Sequence, residues 1–325
     1  MRNEMKHTPP SLLERAAELY DFSVPMRAPA AAVSEPPPAP EPEPEPDPEP
    51  VIAPEPVEAP SPVHRAVRAV EASVRRTSPR GPEAAVDRAA LAEAGFVVPE
   101  GAVTGIAEEF RLIKHQLLAA IGEAPADGNP RARAVLVASA QPKAGKTFCA
   151  VNLALSLAGE RDVEVLLVDG DAPNPDALGK LGIPGDGPGL IDALADPQAD
   201  PESFVIRTDV PGLSVLPAGR KTNNVPELFA SDRTREVLAD LVAGDRRRIV
   251  IIDSPPALMA SHATVLARHV GQALVVVRAD QTTEADLRET IGLLSGCGRL
   301  GLVLNGAGLA VTGRKYGAYD GYGHD

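Results

Sequence analysis

The sequence predicts an α/β domain with a mostly parallel sheet and helices on both faces, preceded by a disordered proline-rich region. Three observations carry that prediction. Short apolar runs alternate with helical stretches from about residue 84 onward. The runs are nearly continuous in Val, Leu and Ile, as strands covered on both faces must be. The prolines are concentrated ahead of them: of 34 in 325 residues, 20 fall in the first 100. The candidate strands are AVLVAS (134–139), EVLLVD (164–169), LSVLPA (213–218), RIVIID (248–253), ALVVVR (273–278) and LGLVLN (300–305). No internal repeat interrupts the alternation.

The amino-terminal hundred residues divide by composition. Residues 1–24 hold SLLERAAELYDF, where Ser11 and Glu14 form a capping box and Leu12, Leu13, Ala16, Leu19 and Tyr20 share a helical face. Such a short helix is marginal alone; it reads equally as a frayed end or a docking peptide. Residues 25–83 form a linker. Its Pro25–Pro62 stretch contains the run EPEPEPDPEP, which favours polyproline-like extension. Residues 63–80 reverse the charge with Arg65, Arg68, Arg75, Arg76 and Arg80. This segment reads as a solvated helix or coil, or as a contact for a membrane surface or acidic partner. Residues 84–312 are the expected folded domain and 313–325 a Gly/Tyr tail.

A net charge of −13 argues against general nucleic-acid binding, which needs basic patches against phosphates. No apolar run approaches the length of a membrane span, and no secretory signal is expected at the amino terminus. Cys149 and Cys297 fit no disulfide or metal spacing and read as small buried residues. The chain is therefore expected to be cytoplasmic and reduced.

The candidate chemistry lies at strand ends. AVLVAS runs into AQPKAGKT and then the apolar stretch FCAVNLALSLAG, the strand–loop–helix setting of a phosphate-binding loop. Ala140 stands where GxxxxGK[ST] has its first glycine. Backbone N–H groups across Gln141, Pro142 (which has none), Lys143, Ala144, Gly145, Lys146, Thr147 and Phe148 would cradle a polyphosphate. Lys146 would neutralise its outer oxygens and the Thr147 hydroxyl would ligate Mg²⁺. The second strand closes on Asp169 and Asp171, where buried carboxylates need partners such as a metal and water; Asp171 could instead cap a helix. Asp253 ends IVIIDSPP, the usual place for a residue that holds a Mg²⁺ shell.

The order AQPKAGKT, VLLVDGD, LPAGRKTNNVPELFAS, IVIIDSPPAL and LVLN resembles the bacterial tyrosine autokinases of exopolysaccharide synthesis over about residues 85–325. The likeness is greatest to the subgroup found with exosortase-type systems. The resemblance implies a P-loop NTPase fold similar to the MinD and ParA ATPases, with ATP and Mg²⁺ as cofactors. It implies that Asp169 activates a tyrosine hydroxyl, that Asp171 and Asp253 serve the metal with Thr147, and that Asn305 lies near the adenine. EEFRLIK resembles the family's ExxRxxR interface motif, making Glu108, Arg111 and Lys114 a candidate oligomer surface, separate from the Phe110/Ile113/Leu117/Ile121 core face of that helix. Plain pairing of Glu108 with Arg111 within the helix is the alternative.

Tyr316, Tyr319 and Tyr322 lie in the last ten residues among glycines, so the tail is expected to be solvated and to accept phosphate in trans. A ring-like homo-oligomer, a separate transmembrane activator holding the chain at the inner membrane, and a cognate tyrosine phosphatase follow from the resemblance. Two departures stand out: Ala172, Pro173 and Asn174 occupy positions where the family has a basic residue, and the tyrosine cluster is short. The competing reading is a MinD/ParA-type ATPase switch without kinase activity. Gln141 counts against it, standing where such switches carry a second lysine.

Overall fold

The computed structural model describes residues 81–123 and 130–307. The helix expected within residues 11–22, the Pro/Glu-rich and basic segments and the tail tyrosines lie outside the described residues. All described residues fall in one unit of the chain.

Eight strands form a single sheet: β1 (Glu83–Ala84), β2 (Ala134–Ser139), β3 (Glu164–Asp169), β4 (Ile206–Thr208), β5 (Leu213–Leu216), β6 (Arg248–Asp253), β7 (Gln272–Arg278) and β8 (Arg299–Asn305). Their order across the sheet is β1-β4-β5-β3-β6-β2-β7-β8. Every pairing is parallel except β4 with β5. The six strands read from the sequence are present. The short β1 and β4 carry too little periodicity to be legible, and β4 gains its place by pairing rather than by pattern.

The central strands β2 and β6 are buried along their whole length. Residues of alternate parity feed two apolar clusters, one on each face. On one face Val135 and Val137 meet α2 (Gly105–Gly122) and α3 (Lys146–Ala158). On the other, Leu136 and Ala138 meet α7 (Asp232–Ala243) and α8 (Ser261–Ala267). The shorter helices α1 (Arg88–Glu93), α4 (Ala177–Lys180), α5 (Leu190–Ala195) and α6 (Val225–Ala230), with α9 (Glu284–Leu293), complete the layers. Cys149 and Cys297 are free and buried, and burial pushes the Cys149 thiol up to about 12.

One strand departs from the expected double-sided burial. In β8, Leu302 and Leu304 are 57% and 64% exposed. The strand is the last in the sheet, so the described residues leave one face of its carboxyl half uncovered.

A second departure concerns α2. Phe110 and Leu117 are buried as the periodicity predicts, but so is Lys114. Its Nζ donates to the Ser156 carbonyl at 3.2 Å and meets Glu160 at 2.7 Å, at the carboxyl end of α3. A long lysine stem can lie along apolar surface while its head satisfies the last carbonyls of a neighbouring helix. Lys114 therefore ties α2 to α3, with its head beside Glu160 in the same surface cavity that Arg111 lines. Glu108 and Arg111 pair with each other at 3.1 Å.

At the amino end of β6, Arg248 and Glu202 form a buried ion pair, with Arg248 Nη1 also donating to the Leu241 carbonyl at 3.0 Å. Removing one partner from a buried pair leaves an uncompensated charge and typically costs about 3–5 kcal/mol. Glu202→Ala should therefore lower the urea midpoint by a comparable loss of stability. A change under about 1 kcal/mol would show that this pair adds little.

Candidate phosphate-binding site

Parallel strands send their carboxyl ends to one edge of the sheet, where ligands of open α/β sheets bind. Here that edge gathers the ends of β2, β3, β6 and β8. The pairing of β3 with β6 sets Asp169 directly opposite Asp253. Val137 of β2 lies opposite Asp253 on the other side, three residues before the loop begins. Residues far apart in sequence are thus delivered to adjacent positions by register.

The loop from Ala140 to Gly145 turns sharply into α3. Lys143 (φ 60°) and Gly145 (φ 98°) both adopt left-handed backbone. A Cβ on residue 145 would lie 2.1 Å from Asn305 Nδ2, so only glycine fits. The only left-handed non-glycine residues among those described are Glu100 and Lys143. Ala140 therefore does not need the freedom of the glycine it replaces, and the departure from the motif costs no backbone strain.

Two contacts brace the loop from outside. Asn305 Nδ2 donates to the Ala144 carbonyl at 2.8 Å, and Gln141 Nε2 donates to Asp286 Oδ2 at 3.0 Å. Asp286 also closes the capping box of α9 with Thr283. The Thr-x-x-Asp spacing shows the cap in the sequence, but nothing local shows its partner in the loop. Phe148 packs its ring against Phe96 (4.8 Å between centroids) and Phe110 (6.2 Å) while also lining the cavity beside the loop.

Lys146, Asp169, Asp171 and Asp253 are all buried. Thr147 Oγ1 donates to Asp253 Oδ2 at 2.6 Å. Asp169 Oδ2 accepts from the Ala177 N–H at 3.0 Å, at the start of α4. The helix-end contact considered for Asp171 is thus made by Asp169. One oxygen of each carboxylate, Oδ1 of Asp169, Asp171 and Asp253, is buried without a partner. Burial pushes Asp253 up to about 7 despite the Thr147 bond, and Asp169 up to about 7 despite the Ala177 bond. Asp171 is raised by burial, opposed by nearby Lys146.

Unpaired buried carboxylates beside a lysine and a hydroxyl fit a divalent cation bound together with phosphates. Among the described residues no group of three or more His, Cys, Asp or Glu forms a complete metal cage. Mg²⁺ beside phosphates takes one or two carboxylates and completes its shell with water and phosphate oxygens. A cavity of about 940 Å³ opens beside these groups, lined by Lys146, Thr147, Asp171 and Pro142 among others.

Fold and loop define a P-loop NTPase of mostly parallel α/β architecture. The chain is similar in sequence to bacterial tyrosine-protein kinases. It is 31% identical to tyrosine-protein kinase ptk of Acinetobacter johnsonii over 157 residues, covering 48% of this chain and 21% of that protein. It is 30% identical to tyrosine-protein kinase wzc of Salmonella typhimurium over 190 residues, 58% of this chain and 25% of that protein. The chain thus spans about a quarter or less of the length of these relatives. Among solved structures, the kinase domain of the Escherichia coli tyrosine kinase ETK is similar at 26% identity with a TM-score of 0.53, covering 63% of this chain and 79% of that one. The BceF tyrosine kinase domain is similar at 28% identity and a TM-score of 0.51, covering 75% and 97%. No protein-family model matches the chain.

A carboxyl whose folded value is raised contributes stability that is full below its unfolded value, about 3.9 for Asp, and lost as pH rises through the folded value. Metal-free protein should therefore lose stability from Asp169 and Asp253 between about pH 4 and pH 7. Asp253→Asn keeps an acceptor for Thr147 and removes one of these titrations. In EDTA, its melting temperature should gain on wild type from pH 5 to pH 8. Parallel pH profiles for the two proteins would contradict the burial argument.

Proposed function

We propose that the chain is an ATP-dependent protein-tyrosine autokinase that phosphorylates its own carboxyl-terminal tyrosines in trans and regulates exopolysaccharide synthesis or export. The observation that carries this reading is the meeting of Asp169, Asp253 and the lysine-bearing loop at one sheet edge, each carboxylate with an oxygen left unpaired. The kinase relatives support the choice of reaction class.

Phosphoryl transfer needs positioning and charge stabilisation more than covalent chemistry. In this reading the loop N–H groups and Lys146 hold the outer phosphates of ATP, and Thr147, Asp171 and Asp253 hold Mg²⁺, with Gln141, Lys143 and Asn305 keeping the loop in shape. The cation supplies charge neutralisation on the transferring group. Asp169 is held through Oδ2 by Ala177, leaving Oδ1 to take the proton of an incoming tyrosine hydroxyl. A carboxyl raised to about 7 is a stronger base than an ordinary aspartate. The tyrosine oxygen gains the γ-phosphoryl group, ADP leaves, and the proton stays on Asp169.

Tyr316, Tyr319 and Tyr322 are the proposed acceptors. Glu108, Arg111 and Lys114 form the proposed surface of a ring-like homo-oligomer, with the Lys114 head also paired to Glu160. Among the described residues no helix is long and apolar enough to cross a membrane. Cytoplasmic placement at the inner membrane through a separate transmembrane activator, and reversal by a tyrosine phosphatase, belong to the same proposal.

After incubation of dephosphorylated protein with Mg·ATP and its membrane partner, mass spectrometry should find phosphate on at least one tail tyrosine. Lys146→Ala should reduce the labelling by at least about a hundredfold, as loss of a positioned phosphate contact does. ATP turnover without tail phosphate would overturn the kinase reading in favour of a ParA-type switch.

A further inference from the structure

The cavity beside the phosphate loop carries a cationic group outside the phosphate-loop and aspartate motifs. Lys221, in the loop between β5 and α6, lines the same cavity as Lys146. Its surroundings set it apart from an ordinary surface lysine. Residues 173–175 on the same cavity wall, Pro-Asn-Pro, bring no charge. Lys180, also on the wall, is paired with Asp176 at 2.9 Å. Lys221 forms no ion pair with another described residue.

The base of its loop is fixed. Asp192 Oδ2 accepts from the Gly189 N–H at 2.9 Å and the Arg220 N–H at 3.0 Å. Gly219 has φ 96°, and a Cβ there would lie 2.5 Å from that same oxygen. A side chain at 219 is therefore excluded, and the turn holds residue 221 at the cavity. Arg220 lies towards Asp192 at 3.8 Å and does not line the cavity. Lys221 is left as this loop's charge at the site.

Within the cavity Asp171 and Asp176 offset two of the lysines, and Lys143 belongs to the phosphate loop itself. The remaining cation is Lys221, on a segment that the loop motif does not include. We propose that Lys221 contacts the terminal phosphoryl group of the bound nucleotide, so that the site discriminates a nucleoside triphosphate from a diphosphate. This rests on the nucleotide-binding reading above. A lysine head is a compact point charge suited to one phosphate group, and a diphosphate lacks the group it would meet.

The test is equilibrium binding of Mg·ADP and of a non-hydrolysable Mg·ATP analogue to the full chain, alongside tail phosphorylation. Lys221→Ala should weaken the triphosphate analogue by about tenfold or more, as loss of a charged hydrogen bond does, and change ADP by less than about twofold. Lys221→Arg should retain most of the discrimination, and Arg220→Ala should match wild type. If Lys221→Ala fails to fold, Lys221→Met removes the charge while keeping the stem. Equal losses for both nucleotides, or no loss for either, overturn the inference while wild-type binding and tail phosphorylation leave the kinase reading standing. Wild-type protein that binds neither nucleotide overturns both.

Discussion

The structure depends on three aspartates enclosed at the carboxyl edge of its central strands with too few partners of their own. Burying a carboxylate without compensation is unfavourable, and here Asp169 and Asp253 sit opposite each other in adjacent strands. Two short hydrogen bonds, from Thr147 and from the Ala177 N–H, use one oxygen of each. The second oxygens are left for something the polypeptide does not supply. A cation with phosphates meets that requirement, and the loop with Lys146 stands where the phosphates would come. In the proposed function, folding stability and ligand binding are coupled at one place: the arrangement that weakens the metal-free protein is the one that would recognise the cation and phosphates.

Around that centre, contacts of ordinary strength hold the phosphate loop. Asn305 reaches it from the end of β8 and Gln141 reaches out to the cap of α9, so the last strand and the start of the last helix bear on the loop's shape. Lys114 joins α2 to the far end of α3, the helix that the loop begins. The helix bearing Glu108 and Arg111 is therefore mechanically linked to the phosphate site through a single helix.

The sheet, its parallel sense and the loop were legible in the sequence because each rests on local pattern. Strands covered on both faces must be apolar throughout, and AVLVAS and RIVIID show it; the glycine-lysine-threonine turn follows one of them directly. The motif's missing glycine proved harmless for a reason only backbone angles reveal, since Ala140 is not in the left-handed region. The pairing of Lys114 with Glu160 was not legible because helical spacing assigns a face to a Cα and not to the tip of a four-carbon side chain. Leu302 and Leu304 look like core residues in a strand whose position at the sheet's edge no local pattern announces.

By itself the sequence determined six apolar strands, the helix after the phosphate loop and the helix around Phe110, because burial acts over a few neighbouring positions. It also determined the residue types at the site, since Lys146, Thr147, Asp169, Asp171 and Asp253 sit in recognisable local settings. The tertiary structure alone decided their company. Placing β6 between β2 and β3 set Asp253 against Asp169 and within reach of Thr147. The same packing brought Asp286 to Gln141 and the Lys221 loop to the cavity. Those meetings depend on strand order and register between segments far apart in the chain, which are set by the packing of the whole sheet and leave no trace in the spacing of any one segment.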